Sequence, residues 1–178
     1  RKILTLFMAV LMLTFIGCKK EETSSDKIET KPSESKIETT VINPLTGVAD
    51  IDEEKAKDKP VAIMINNVSA AQPVQAGVAE ADIVYETEVE GGITRLLAVY
   101  QDISKVKKIG TVRSARYVYI DLAMGHDAIY VHHGQDPTYA APHLKDTQTF
   151  VLGTKNAGYR ESNGLASEHT LYGYDEKI

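Results

Sequence analysis

The sequence has almost no cysteine, since Cys18 is the only one among 178 residues. A lone cysteine cannot form an intramolecular disulfide, a thiolate zinc site or an iron–sulfur cluster, and its position near the N-terminus excludes a cysteine-nucleophile enzyme in the folded region. Blocks of lysine and arginine are absent from the body of the chain, and the net charge is −5. We therefore expect no nucleic acid among the partners.

The N-terminus also lacks an apolar run long enough to cross a bilayer. Arg1 and Lys2 precede an apolar segment, residues 3–17, which is shorter than the roughly 20 residues of a membrane-spanning helix. A charged start, a short apolar segment and a small residue before Cys18 are typical of a secretory signal peptide. We predict a signal peptide over residues 1–17.

Residues 15–18, FIGC, resemble the lipobox of bacterial lipoproteins, although Phe15 stands where leucine is usual. The resemblance implies that the Cys18 thiol is acylated with a chain such as palmitate before the signal peptide is cleaved. It also implies a protein anchored in the cell membrane on the extracytoplasmic face. The alternative is an ordinary secretory signal in which Cys18 is incidental.

The chain divides by composition after Cys18. Residues 18–42 are mostly charged and small polar residues with few large apolar ones, which predicts a lipidated cysteine followed by a disordered tether. Residues 43–178 are predicted to form one extracytoplasmic α/β domain. We expect this domain to be truncated at its C-terminal end, because the sequence ends abruptly at residues 175–178 without a closing element.

Two patterns predict a β-sheet in this domain. The continuous apolar run at residues 61–65, VAIMI, is typical of a strand buried on both faces. Residues 82–90 and 93–101 flank Gly91 and Gly92, which predicts a hairpin with a two-residue turn. In that register Glu88 faces Arg95 across the strands.

Residues 108–132 predict a strand, a helix capped by Ser114 and ended by Gly125, and a second strand ending at His132. The simplest arrangement is a right-handed parallel crossover. The predicted fold class is therefore α/β, with a mixed β-sheet that contains a parallel strand–helix–strand unit and a β-hairpin. Residues 156–164 are predicted to be a long polar loop.

Arg113 and Arg116 are predicted to lie at the start of the Ser114 helix, where the helix dipole disfavours cations, so they need an anion. Parallel strands end at the same edge of a sheet, which brings His133 to this site. The anion could be a ligand phosphate or carboxylate, because free amides and guanidinium groups suit oxyanions. It could equally be an internal carboxylate. The candidates are Glu86, Glu88, Glu90 and Asp136.

The sequence predicts neither a metal site nor a cofactor. None of the five histidines forms a close metal-binding pattern such as His-Glu-x-x-His; they are His126, His132, His133, His143 and His169. The glutamates of residues 86–90 are typical of a solvated strand face rather than of a glycosidase pair.

Four stretches resemble the YerB-like lipoproteins of Gram-positive bacteria, a family with a domain of unknown function. They are PVAIMIN at 60–66, ADIVY at 81–85, EGGITR at 90–95 and IGTVRSAR at 109–116. The resemblance covers about residues 43–178 and implies a membrane-anchored envelope protein without an established reaction. It also implies a second, C-terminal domain. The positions of the arginines in the last two stretches are similar to those of the arginines in LytR-CpsA-Psr phosphotransferases. The acidic magnesium ligands of those enzymes have no match here.

We therefore hypothesise a cell-envelope binding or scaffold lipoprotein with an anion-binding edge formed by Arg95, Arg113, Ser114, Arg116 and His133. Its partners would be the lipid bilayer, through Cys18, and envelope proteins or anionic envelope polymers. The alternative hypothesis is a cell-wall phosphotransferase or hydrolase that acts on an anionic glycan or lipid phosphate.

Overall fold

The computed structural model describes residues 40–174. The predicted signal peptide, Cys18 and most of the predicted tether lie outside the described residues. The first strand begins at Thr40, before the predicted domain boundary at residue 43. Over the described range, no helix is both long and apolar enough to cross a membrane.

Within residues 40–174 the chain forms ten strands and two α-helices, joined by turns and short 3-10 segments. In chain order they are β1 (Thr40–Ile42), β2 (Ala49–Asp52), β3 (Val61–Asn66), β4 (Ile83–Glu88), β5 (Thr94–Tyr100), β6 (Ile109–Gly110), α1 (Tyr117–Gly125), β7 (Ile129–His132), α2 (Ala140–His143), β8 (Thr149–Val151), β9 (Gly158–Arg160) and β10 (Leu171–Gly173).

The central sheet has five strands in the order β4-β5-β3-β7-β8. β5 runs antiparallel to both β4 and β3, whereas β7 runs parallel to both β3 and β8. The segment β7-α2-β8 is a parallel strand–helix–strand unit, and β4-β5 is a hairpin. The predicted fold class, an α/β fold with a mixed sheet, is confirmed.

Strand β3 lies in the middle of the sheet and is buried along its whole length, as its apolar run predicts. On one face, Met64 and Leu97 pack with α1 residues such as Ile120. On the other face, Ile63 and Ile65 belong to a second apolar cluster, which includes residues of the three-stranded sheet β6-β10-β9. The five-stranded sheet is therefore covered on both faces, and its strand ends are the natural places for polar side chains.

The hairpin β4-β5 is confirmed, but its register differs from the predicted one by one residue. Thr94 faces Glu88, and Arg95 faces Thr87. The backbone N–H of Val89 donates to the carbonyl of Ile93 (2.8 Å), so three residues rather than two form the loop. Glu88 and Arg95 therefore lie on opposite faces, and the predicted pairing between them is wrong.

The prediction that Ser114 caps the helix is also wrong. Helix α1 begins at Tyr117, and Arg116 occupies the cap position in an extended conformation without a side-chain cap bond. Residues 113–115 stay extended because they pair with neighbouring chain segments. The N–H of Arg113 donates to the carbonyl of Met64 (3.0 Å), and the N–H of Ala115 donates to the carbonyl of Gly134 (2.9 Å).

The predicted parallel pairing across residues 108–132 is only partly correct. Strand β6 pairs antiparallel with β10 and not with β7. However, Ala115 forms a parallel bridge with Gln135, and the N–H of His133 donates to the carbonyl of Arg113 (2.9 Å). The two polar segments that follow β6 and β7 therefore lie side by side, as predicted for the candidate site.

Tyr119 connects α1 to the hairpin through its hydroxyl group. The hydroxyl accepts a hydrogen bond from the N–H of Thr87 (3.1 Å), and it also contacts the carbonyl groups of Thr87 and Arg95. Burial raises the pKa of Tyr119, although these backbone bonds partly oppose the shift. The helix thus holds the backbone of the strand from which Arg95 projects.

Tyr119→Phe should lower the free energy of unfolding by about 1–3 kcal/mol, because buried backbone groups would lose their hydrogen-bond partner. The matched control is Tyr117→Phe, since the Tyr117 side chain lies on the same helix and is 50% exposed. That change should alter stability by less than about 0.5 kcal/mol. Urea denaturation measures both variants, and equal values would contradict the bridging role of the Tyr119 hydroxyl.

Candidate anion site

Arg95 lies at the start of β5, opposite Asn66 at the end of β3. The arginine is only 3% exposed and Asn66 only 1%. The guanidinium group of Arg95 donates to the carbonyl of Ser114. Its burial follows from its place in β5, where each of the residues 95–100 is buried.

Three guanidinium groups influence one another at this edge of the sheet, and we call Arg95, Arg113 and Arg116 the arginine cluster. Burial, followed by repulsion from Arg116 and Arg113, lowers the pKa of Arg95 to about 10, while Glu90 partly opposes the shift. Arg95 remains a cation at neutral pH. No carboxylate among residues 40–174 forms a salt bridge with Arg95, so its charge is buried without a direct counter-ion.

Arg113 is the second member of the cluster and is only loosely paired. Its Nη1 lies 3.8 Å from Oε2 of Glu168, and the two side chains are 21% and 54% exposed. Its Nε is buried and has no hydrogen-bond partner among the described residues. A buried donor without an acceptor is unusual in a folded protein and calls for an explanation.

Arg116 has an internal partner, in contrast to the other two arginines. Its Nε lies 2.6 Å and 2.8 Å from the two carboxylate oxygens of Glu90, and its Nη1 donates to the carbonyl of Ala115 (2.8 Å). Burial raises the pKa of Glu90, but the hydrogen bond from Arg116 and its charge outweigh this effect and leave the pKa below its ordinary value. For Arg116, the structure supports the internal alternative.

A double-mutant cycle with Arg116→Gln and Glu90→Gln should give a coupling of about 0.5 kcal/mol at neutral pH, a small value because the Glu90 side chain is 61% exposed. In the folded protein the pKa of Glu90 lies below 4.5, its ordinary value, which also applies to the unfolded chain. The coupling is therefore fully present at pH values above 4.5 and is lost as the pH falls through the pKa of the folded protein. Urea denaturation at several pH values measures it, and a coupling that grows in acid would contradict the pair.

Ser114 and His133 lie beside the cluster, but Ser114 does not cap the helix as predicted. Ser114 contributes its carbonyl to Arg95 and does not cap the helix. The His133 Nδ1 donates to the carbonyl of Leu152 (2.6 Å), and its Nε2 accepts from Arg160 (3.3 Å); these partners define its tautomer. The His133 side chain is thus held by partners other than Arg113 and Arg116, although its backbone N–H donates to the carbonyl of Arg113.

The neighbouring His132 is a core residue. It is fully buried, and its ring nitrogens contact the carbonyl of Gly134 (2.7 Å) and the hydroxyl of Thr149 (2.8 Å). Burial lowers the pKa of His132, which favours the neutral ring. The His132 ring therefore supports the backbone at Gly134, whereas the His133 ring supports the backbone at Leu152.

The sequence analysis missed the polar residues that surround Glu168. Asn66 Nδ2 lies 2.7 Å from Nδ1 of His169, and this contact is buried. Arg160 donates to the hydroxyl of Thr170 (3.2 Å) and to the carbonyl of Ser167. Arg160, His169 and Thr170 approach the cluster only through the pairing of β10 with β6 and β9, for which the sequence gives no local signal.

Among residues 40–174, no group of three or more His, Cys, Asp or Glu side chains could hold a metal ion. Guanidinium groups can donate to phosphate or carboxylate oxygens in pairs, so the chemistry of the arginine cluster is compatible with an oxyanion. Arg95 is the buried member of the cluster, and Arg113 is a partly exposed member.

The fold and this edge define a three-layer, mixed α/β domain with a buried arginine, Arg95, beside two partly exposed ones. The backbone is similar to the crystal structure of the YerB protein from Bacillus subtilis, with a TM-score of 0.66 and 32% sequence identity, over 77% of this chain and 47% of that chain. Residues 45–178 match the family described as Protein of unknown function (DUF3048) N-terminal domain. The chain belongs to this family, which confirms the resemblance found in the sequence.

A curated relative, "Putative lipoprotein YerB" of Bacillus subtilis (strain 168), is 44% identical over 94 residues. That match covers 53% of this chain and 28% of the relative. The chain therefore matches less than half the length of either relative.

Proposed function

We propose that this chain is a membrane-anchored extracytoplasmic lipoprotein whose folded domain binds an anionic group of the cell envelope, a phosphate or a carboxylate, at the arginine cluster. In this proposal the domain is a binding or scaffold module. Arg113 contacts the anion directly, and Arg95 attracts it from beneath. Arg116 is held by Glu90 and adds to the positive potential.

The observation that carries the proposal is the buried, unpaired charge of Arg95. A buried cation normally has a carboxylate partner, because leaving water is costly for an isolated charge. Among residues 40–174, Arg95 donates to one acceptor, the carbonyl of Ser114, and has two repelling neighbours, Arg116 and Arg113. The Arg113 side chain is 21% exposed, so part of it is open to an oxyanion from solvent.

The test of binding is a calorimetric titration of the folded domain with pyrophosphate at low salt. Arg113→Gln should weaken binding about tenfold, as expected when a charge-assisted contact is lost. Lys59→Gln is the matched control, since it removes one positive charge at the opposite end of β3, where Lys59 pairs with Asp127. Equal affinity in the two variants would show that net charge, and not the cluster, determines binding.

The membrane anchor is supported by the place of Cys18 directly after the apolar segment and by the lipoprotein name of the relative from Bacillus subtilis. Cys18→Ala should abolish metabolic labelling with a palmitate analogue and release the protein from the membrane fraction. Labelling that persists in the variant would refute acylation at this residue.

A further inference from the structure

A second cleft lies on the helix side of the sheet, between α1 and α2. Its volume is about 420 Å³, and Tyr117, Asp121, Tyr139 and His143 line it. We call it the aromatic cleft. It shares Tyr117 and Tyr139 with a neighbouring cleft of about 330 Å³ that extends to Arg116 and the hairpin loop. Both volumes fall within the range of about 300–1,000 Å³ that is common for small-molecule sites.

Spacing along the two helices explains how the aromatic cleft forms. Tyr117 and Asp121 are four residues apart on α1, and Tyr139 and His143 are four apart at α2. Residues at this spacing lie on the same face of a helix. The carboxylate of Asp136 accepts the backbone N–H groups of Tyr139 and Ala140, which fixes the start of α2 and the position of its aromatic face.

The rings of the aromatic cleft are exposed and tilted towards one another. The centroids of Tyr117 and Tyr139 are 6.3 Å apart with an interplanar angle of 54°. Those of Tyr117 and His143 are 6.2 Å apart at 53°. Tyr117 is 50% exposed and Tyr139 66%. A small group between them can therefore come within the ring-to-cation distance of about 6 Å for more than one ring at once.

The charges around these rings are mainly negative. The walls of the two neighbouring clefts carry four carboxylates, from Glu88, Glu90, Asp121 and Asp136. Among the described residues they carry one arginine, Arg116, which is paired with Glu90. This potential repels anions and attracts cations. An acyl chain would fit poorly as well, since it would remove unpaired carboxylates from water.

We propose that the aromatic cleft binds an organic ammonium group whose nitrogen carries methyl or methylene substituents. Ring faces attract such a cation through their quadrupole and also contact its apolar substituents. Asp121 adds a nearby negative charge. Arg116 of the arginine cluster lines only the neighbouring cleft and not the aromatic cleft, so ammonium binding does not depend on the proposed anion binding.

The test is an NMR titration of the folded domain with choline, whose trimethylammonium group has the required chemistry. Choline should shift the resonances of Tyr117 and Tyr139 in a saturable way. Its neutral isostere, in which a tert-butyl group replaces trimethylammonium, should bind at least about twofold more weakly, because it lacks the charge. Equal binding of the two compounds would overturn the proposal in favour of a purely apolar site.

Variants of Tyr139 separate the ring from its hydroxyl. Tyr139→Leu should weaken choline binding about two- to fivefold, and Tyr139→Phe should leave it unchanged, because the ring face makes the contact. Asp121→Asn should weaken binding as well. A Tyr139→Leu variant that binds choline as tightly as the parent would overturn the proposal, and so would shifts confined to residues outside the cleft. If glucose oligosaccharides bound to the aromatic cleft and choline did not, the proposal that the ligand is an ammonium group would be wrong.

Discussion

Arg95→Met should weaken the binding of pyrophosphate about tenfold and yet change the free energy of unfolding by no more than about 1 kcal/mol. The affinity falls because a charge beneath the bound anion acts through a medium less polar than water. Stability is nearly kept because the loss of the bond to Ser114 is offset by the removal of a buried, repelled charge, and such replacements are often neutral or stabilising. Calorimetric titration and urea denaturation measure the two effects.

This combination distinguishes a binding residue from a structural one. If Arg95 were part of a structural ion pair, its removal would leave a buried partner charge and lower stability by about 3–5 kcal/mol. Leu97→Ala, on the same strand and face, is the control for damage to the fold. Leu97 is fully buried, so that variant should lose about 2–5 kcal/mol of stability and retain pyrophosphate affinity while folded. A stable Arg95→Met variant with unchanged affinity would remove Arg95 from the site.

Gly77→Ala should lower the free energy of unfolding by about 2–4 kcal/mol, through backbone strain and overpacking together. Gly77 has a φ of +77°, and a Cβ atom there would lie 2.6 Å from the carbonyl oxygen of Lys108 and 2.8 Å from Val106. That contact sits directly before β6, so the clash would displace the strand that leads to Arg113. Urea denaturation gives the value.

Gly47→Ala is the matched control, because Gly47 has a φ of +76° and open space around it. It shares the strain of a left-handed conformation, about 1 kcal/mol, without the clash. The difference between the two variants therefore isolates the close approach at Gly77. Equal losses in both would show that the contact with Lys108 relaxes freely.

Patterns that depend on neighbours along the chain predicted much of the fold. The apolar run of β3 and the end of α1 at Gly125 are where the sequence places them, because burial and glycine act locally. The hairpin was also evident, but its register was not. Gly91 and Gly92 both adopt positive φ, at 75° and 69°, which is compatible with a two-residue or a three-residue loop. The three-residue loop moved Glu88 to the other face from Arg95.

The sequence predicted the part of the candidate site that is formed by the segments directly after β6 and β7. Arg113 and His133 lie side by side because the chain after β6 pairs with the chain after β7. Ser114 has a good capping side chain, but strand-like pairing of residues 113–115 holds it extended and starts the helix at Tyr117. The short strands β6, β9 and β10 bring Glu168 and His169 from a distant part of the chain, and such non-local pairing has no periodic signal.

The most direct test of anion binding is to follow the Nε–H resonances of the arginines by ¹⁵N NMR during a titration with pyrophosphate. The Nε of Arg113 has no acceptor in the described structure, whereas the Nε of Arg116 is held by Glu90 at 2.6 Å. We expect a large, saturable shift for Arg113, a smaller one for Arg95 and little change for Arg116, with all shifts weakened by salt. A shift of equal size at Arg160 and Arg113, or none that saturates, would contradict an anion site at the arginine cluster.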